Sequence, residues 1–205
     1  MTTGLLVAEL VRGQVQLGDD PTGGICPIGK GIPPCPSAYP VAGDVNLSSN
    51  RGAPTYGDFA ALLPAVPRRQ GVPVGTTFIR PTADEPFTLS ENAALASAAT
   101  TLVAYDATTG HNLPALFWDY MGAQPTDWLF AFGHPLSEPV WVRAPIRGVE
   151  QWVLVQVFER RVLTYTPANP PAWHVEMGNV GQHYYAWRYA ADNHDPPWIR
   201  PLPDS

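Results

Sequence analysis

The side chains able to do chemistry in this chain are its carboxylates, its histidines and two cysteines, set among many aromatic rings. Glycoside hydrolysis needs two carboxyl groups held roughly 5–9.5 Å apart in a cleft. Asp119, Asp127, Glu138, Glu159 and Glu176 are the acids weighed for that role, and Asp119, Glu138 and Glu159 are the catalytic candidates. Each has a plainer reading beside the chemical one. Asp119 falls off the apolar stripe of its predicted helix, where a carboxylate is ordinarily solvated. Glu159 begins Glu159-Arg160-Arg161 at a predicted hairpin, where ion pairing is the common use. Glu138 follows the Gly133-His134-Pro135 turn.

The five histidines are His111, His134, His174, His183 and His194. None forms the i, i+4 pair of H-E-x-x-H that presents two imidazoles on one helix face. His174-Val175-Glu176 has the H-x-E order of zinc deaminases but lacks their P-C-x-x-C half. No metal site is expected, and each histidine reads as a turn or hydrogen-bonding residue. The chain has no Walker or Rossmann glycine pattern and no G-x-S-x-G elbow, so no cofactor is expected and no serine nucleophile is indicated.

Seven Trp and eight Tyr are the most unusual feature. Aromatic faces beside polar groups commonly hold sugar rings by stacking against their C–H faces. Trp118, Trp128, Trp141 and Tyr185 are the ligand-binding candidates from a pool that includes Trp152, Trp173 and Trp187. For any one of them, burial in a core is the commoner use of so large a ring.

Composition narrows the setting. In 205 residues, 45% are hydrophobic and 15% charged, which excludes a chain held open by charge. The 24 Pro and 18 Gly imply many turns and short elements. A net charge of −6 argues against nucleic acid or an anionic membrane as partner. No apolar run approaches the roughly 18 residues of a membrane span, so no membrane insertion is expected. The basic residues are eleven Arg and one Lys, Lys30.

Cys26 and Cys35 bracket PIGKGIPP, and no further Cys or His lies nearby to complete a metal site. A disulfide closing this small loop would contribute roughly 2–3 kcal/mol. Such a link implies an oxidising compartment, hence an extracellular or cell-surface protein. Met1 is not followed by a basic stretch and an apolar segment, so the signal peptide is expected to lie outside this chain.

These groups must be positioned by short elements. Residues 4–18 read as two strands around Arg12-Gly13, on the alternation of Gln14, Val15, Gln16 and Leu17. Thr55 and Asp58 resemble a capping box before a short helix bearing Tyr56, Phe59, Ala60 and Leu63. Ser90 is the expected cap of a helix reaching about Ala98, and 101–105 reads as a strand. Asn112 is the expected cap of a helix over 113–121, whose stripe is Leu113, Leu116, Phe117, Tyr120 and Met121. Strands follow near 139–146, 149–159 and 162–166, then an aromatic helix over 180–189. Residues 191–205 read as a Pro-rich extended tail.

A shift of 148 positions lays Leu6, Val7 and Arg12 on Leu154, Val155 and Arg160, and Tyr56 and Phe59 correspond to Tyr184 and Trp187 with insertions. The expected architecture is therefore α+β and β-dominated, with short strands and hairpins and a few short helices. One domain, 1–190, would hold two imperfect repeats, about 4–63 and 101–190. The second copy has a lead-in that the first lacks, so the natural chain is expected to extend further at its N-terminus.

Gly133, Pro135 and Glu138 form a Gly-x-Pro turn with a following acid. Phe158 on a strand, Tyr165 before a turn, and Gly181 leading to Trp187 complete a pattern. The segment from Phe132 to Trp187 thereby resembles the LGFP repeats of bacterial cell-envelope proteins, with Phe132 where Leu is usual. The wider wording of residues 110–189 also resembles uncharacterised secreted modules of thermophilic bacteria. The LGFP resemblance implies an envelope or glycan-binding role. The expected function is a non-catalytic extracellular or cell-surface module that binds cell-wall or other glycans, or copies of itself. The alternative is a small secreted glycoside hydrolase using a carboxylate pair. The disulfide is checked directly: iodoacetamide should label neither Cys26 nor Cys35 in the denatured, unreduced protein and both after reduction, and labelling before reduction would remove the argument for secretion.

Overall fold

In the computed structural model of the chain, the described residues are 4–13, 39–43, 53–65, 69–79, 88–98 and 100–189. Cys26, Cys35, the alternating stretch 14–17, His194 and the tail 191–205 lie outside them.

The longest strands explain the layering. β5 (Val140–Ile146) and β6 (Val149–Val157) form an antiparallel hairpin, joined by Arg147 at φ 54° and Gly148 at φ 74°. Two successive positive φ angles are the signature of a tight turn whose twist matches the flanking strands. β7 (Val162–Tyr165) and β8 (Val175–Met177) continue the sheet antiparallel. On the other side β1 (Thr76–Ile79) joins β5 in parallel and pairs antiparallel with β2 (Thr88–Glu91). The order is β2-β1-β5-β6-β7-β8. A separate two-stranded hairpin is built from β3 (Leu102–Asp106) and β4 (His111–Pro114).

Both faces of β5–β7 are apolar, so both must be covered. Val140, Val142 and Ala144 point the same way as Val153, Val155, Val157 and Val162, into one core. That core is closed by α1 (Leu6–Arg12), a 3-10 helix (Asp58–Leu62) and α5 (Val180–Tyr189). Trp141, Leu154, Phe158 and Leu163 point the other way. They meet the β3–β4 hairpin, α3 (Ala115–Gly122) and α4 (Trp128–Phe132). A short α2 (Ala93–Ala98) adds Leu95 to this second core. The α+β, β-rich class holds.

Several local expectations hold as well. Thr55 and Asp58 cap each other reciprocally: Thr55 N donates to Asp58 Oδ2 at 2.8 Å and Asp58 N to Thr55 Oγ1 at 3.3 Å. The 180–189 helix and the strands near 102, 140, 149 and 162 form where periodicity placed them. The stripe Leu113, Phe117 and Met121 is buried in the same core as Leu154, Phe158 and Leu163, with Leu116 and Tyr120 packed at its edge.

Three expectations are corrected. Residues 6–12 are a helix, not the first strand of a pair. Val7, Leu10 and Val11 are spaced i, i+3, i+4 and are fully buried, and Gly13 stops the turn in the left-handed conformation at φ 67°. The free N–H groups of Val7 and Ala8 are taken by the Glu159 carbonyl at 3.1 and 3.2 Å, a tertiary substitute for a cap. The proposed match of 5–17 with 153–165 therefore fails, because a helix stands over against β6–β7. The second helix is capped by Asn92, whose Oδ1 accepts from Ala94 N at 3.1 Å, while Ser90 lies in β2. The 113–121 helix begins at Ala115, with Pro114 as the extended residue before it, so Asn112 lies in β4 and caps nothing.

Phe117→Ala should cost about 3–5 kcal/mol through the cavity it leaves, read as a lower urea midpoint with an unchanged slope. A loss under about 1 kcal/mol would show that α3 is not seated on the sheet as described.

Candidate functional site

The densest polar constellation lies where β4 meets the segment entering β5. Glu138 is held by Asn112 three times over: Asn112 N donates to Oε1 at 2.7 Å, and Nδ2 reaches both carboxylate oxygens at 3.1 Å. His111 Nδ1 lies 3.6 Å from Glu138 Oε1 and is buried with no hydrogen-bond partner among the described residues. Asn112 is completely buried. Its Oδ1 accepts from Arg69 N at 3.2 Å, and its carbonyl accepts from Gln156 Nε2 at 2.8 Å. Gln156 Nε2 also donates to the Ser137 carbonyl at 2.9 Å. One glutamine on a sheet face thus holds two chain segments, and one asparagine holds the carboxylate.

A second pair sits at the turn of the β3–β4 hairpin. Asp106 Oδ1 accepts from the N–H groups of Thr108 and Thr109 at 2.8 and 3.1 Å, and Gly110 closes the turn at φ 79°. Asp106 Oδ2 lies 2.6 Å from His134 Nδ1. Burial alone would raise the Asp106 carboxyl. The hydrogen bonds from His134, Thr109 and Thr108 outweigh it and hold the carboxyl below its ordinary value. With the carboxylate ionised, His134 Nδ1 carries the shared proton. His134 N in turn donates to Glu159 Oε2 at 3.0 Å. Gly133, at φ 75°, permits this approach, since a Cβ there would stand 2.7 Å from the Glu159 Cβ.

Of the catalytic candidates, Glu138 and Glu159 are engaged in these two constellations, and Asp119 is exposed on α3 with no side-chain hydrogen bond among the described residues. Among the described residues no three His, Cys, Asp or Glu side chains converge to hold a metal ion.

The ligand-binding candidates separate clearly. Trp141 is completely buried and donates Nε1 to the Val74 carbonyl at 2.9 Å, so it is a core residue that also pins β1's approach to β5. Tyr185 is half-buried on α5. Trp118 is 38% exposed and meets half-buried Trp128 edge-on, with ring centroids 5.6 Å apart. Phe130, 49% exposed, follows on α4, with the Arg160 guanidinium 5.8 Å over its ring. Asp127 caps α4 through Oδ1 to Phe130 N at 3.1 Å. The α3–α4 corner therefore presents the Trp118–Trp128 pair, with Asp119 and Asp127 each next in the chain to one of the two rings, while Phe130 is two positions on from Trp128 and leaves α4 in another direction.

Sequence reading missed Asp106, Asn112, Ser137 and Gln156. The detectable signal was Gln156 itself, a polar residue in phase with Leu154 and Phe158 in the otherwise apolar run 152–158. Comparison with known proteins found no matching family, no matching curated protein and no matching solved structure. No helix among the described residues is long and apolar enough to cross a membrane.

A third histidine bears on stability. Tyr56 hydroxyl and His183 Nδ1 lie 2.9 Å apart, and Tyr39 stacks on the His183 ring. Burial pushes His183 down from 6.5 to about 4, and pushes the Tyr56 hydroxyl up. Between those two His183 values the unfolded chain binds a proton that the folded chain refuses, so stability falls as pH falls. Between about pH 7 and about pH 5 the loss from His183 should be about 2 kcal/mol. Asp106, held below its ordinary 3.8, acts only at lower pH, where protonation removes its contribution. Urea midpoints across this range should flatten above pH 5 in His183→Gln, and an unchanged profile would sink the assignment.

Proposed function

We propose that this protein is a non-catalytic extracellular or cell-surface module that binds cell-wall or other glycans through the α3–α4 corner. The observation that carries the reading is the exposed Trp118 set edge-on against half-buried Trp128. Monomeric proteins rarely leave such large rings in solvent together. Aromatic faces supply stacking area at low entropic cost. The adjacent Asp119 and Asp127 supply oxygens that accept hydrogen bonds from sugar hydroxyls, as specificity in such sites requires. Trp118 and Asp119 are neighbours on α3, so their side chains leave the helix in different directions and can address a ring face and its edge.

The resemblance of Phe132–Trp187 to LGFP-type repeats supports the same setting, as does the expected Cys26–Cys35 disulfide. A glycoside hydrolase needs two carboxyl groups across one cleft. Of the acids weighed from the sequence, only Glu138 lines the cleft between the 3-10 helix and the β1–β2 edge, which favours the binding reading over that alternative. Copies of the same chain are the other partner this corner would suit.

The test is a polysaccharide and cell-wall glycan screen by affinity electrophoresis and calorimetry, run beside a chromogenic hydrolase panel. Trp118→Ala should weaken glycan binding at least tenfold, about 1.4 kcal/mol, while stability changes by about 0.5 kcal/mol or less. Mass that grows with protein concentration, lost in the same variant, would instead assign the corner to self-assembly. Turnover of any glycan that disappears in Glu159→Gln, with an unchanged melting temperature, would overturn the non-catalytic reading.

A further inference from the structure

A cleft of about 530 Å³ opens between the 3-10 helix and the β1–β2 edge of the sheet. Its walls are apolar: Leu62, Val72, Val74, Leu102 and Val140. Three charged side chains line it, namely Glu138, Glu91 and Arg69. Glu91 is exposed and accepts from Thr76 Oγ1, and Arg69 is exposed at the rim. Glu138 differs from both. Its side chain retains 20% of its surface, and its carboxylate is fixed by the three Asn112 hydrogen bonds described above.

The effort spent on Glu138 is out of proportion to a structural carboxylate. A buried asparagine and a buried histidine stand against it, and a buried glutamine holds the asparagine in turn; all three would be cheaper to bury as apolar residues of like shape. Asn112 also accepts from Arg69 N, so one amide sets both the cleft's charge and its rim. His111 Nδ1 lies 3.6 Å from the same carboxylate and is buried with no hydrogen-bond partner among the described residues. A pocket with apolar walls and one or two fixed polar groups is the usual form of a small-molecule site.

We infer that this cleft binds a small organic ammonium ion, its apolar frame against Val72, Val74 and Leu102 and its N–H groups on Glu138. Charge decides the class. Among the described residues two carboxylates outnumber one arginine along the walls, and the carboxylate of Glu138 is the one fixed by several hydrogen bonds. A charge-assisted N–H to carboxylate contact is roughly twice as strong as a neutral one, and it gains further where water is excluded. Preorganisation removes the ordering cost that a free glutamate would carry. The site is separate from the α3–α4 corner and stands whether or not that corner binds glycans.

The probes are hexylammonium, hexanol and hexanoate at constant ionic strength, followed by amide shifts in nitrogen-labelled protein. Hexylammonium should give saturable shifts at Val72, Val74 and Leu102 and bind at least about tenfold more tightly than hexanol, with hexanoate weakest. Equal binding of the three, or shifts confined to other residues, would overturn the inference. Glu138→Gln should remove the preference for the amine over the alcohol, and a preference that persists in folded Glu138→Gln overturns the role of that carboxylate. Val72→Trp fills the cleft from an exposed position and leaves Glu138 in place. It should abolish hexylammonium binding even if Glu138→Gln does not fold, and undiminished binding in Val72→Trp overturns the site. Trp118→Ala should leave hexylammonium binding unchanged, which separates this site from the glycan corner.

Discussion

From Val153 onward strand β6 is buried on both faces, and the packing of both covering layers answers to that. Each residue from Val153 to Phe158 has at most 1% of its surface exposed. A strand in that position cannot stop at one covering layer, because burying a large aliphatic or aromatic side chain is worth roughly 1.5–3 kcal/mol and both sides carry them. The odd positions require α1, the 3-10 helix and α5, and the even positions require α3, α4 and the β3–β4 hairpin. Neither covering layer has enough apolar surface to form a core alone. The helix α1 is seven residues long, well short of what stands unaided in water.

Gln156 is the exception on that strand, and it converts a packing surface into a specific one. An apolar residue there would let the β3–β4 hairpin slide, since hydrophobic contact is non-directional. The amide donor in this dry interface finds two carbonyls, of Asn112 and Ser137, while Oε1 has no hydrogen-bond partner among the described residues. The hairpin is thereby registered against β6 and the entry to β5. The same registration carries Asn112 to Glu138 and, at the other end of the hairpin, Asp106 to His134. The two polar constellations are consequences of one buried amide and one strand register.

Much of the second half was legible from residue spacing. The strands of the β5–β7 sheet, the aromatic helix at 180–189 and the stripe through Leu113, Phe117 and Met121 follow from period alone. The Thr55–Asp58 cap follows from side-chain chemistry that acts within three residues. Local signals failed where a tertiary partner took over a local role. The N–H groups of α1 are satisfied by a carbonyl 152 positions away, at Glu159, and no residue before Leu6 could announce that. Asn112 has the composition of a cap, but a carboxylate 26 residues on competes for its amide and wins. The neighbouring Pro114 then delays the helix, because its own extended conformation is compatible with the end of a strand. The site was legible only in part for the same reason: Glu138 could be singled out as an acid after a turn, whereas the groups that orient it come from β4 and β6.

The aromatic content was the most conspicuous feature of the composition and the least decisive. Trp141 and Trp187 are core, and Trp118 and Trp173 are exposed. Nothing in composition separates them, since a tryptophan in a strand and one on a short helix are equally apolar. What separates them is phase relative to β6. Trp141 pairs with Leu154 across the β5–β6 ladder and so falls on a face that is covered. Trp118 follows Phe117, and the residue next to a buried stripe position on a helix is rotated about 100° out of it. A ring at that position adds less to the core than Phe117 does, yet its exposed part carries a solvation cost while it stays. Its contact with Trp128, together with the Arg160 guanidinium over Phe130, gives the corner a rigid shape without covering it. A surface that is held in shape and left uncovered is suited to contact with something outside the chain, and its place at the junction of α3 and α4 keeps it clear of the buried network that holds the sheet and hairpin together.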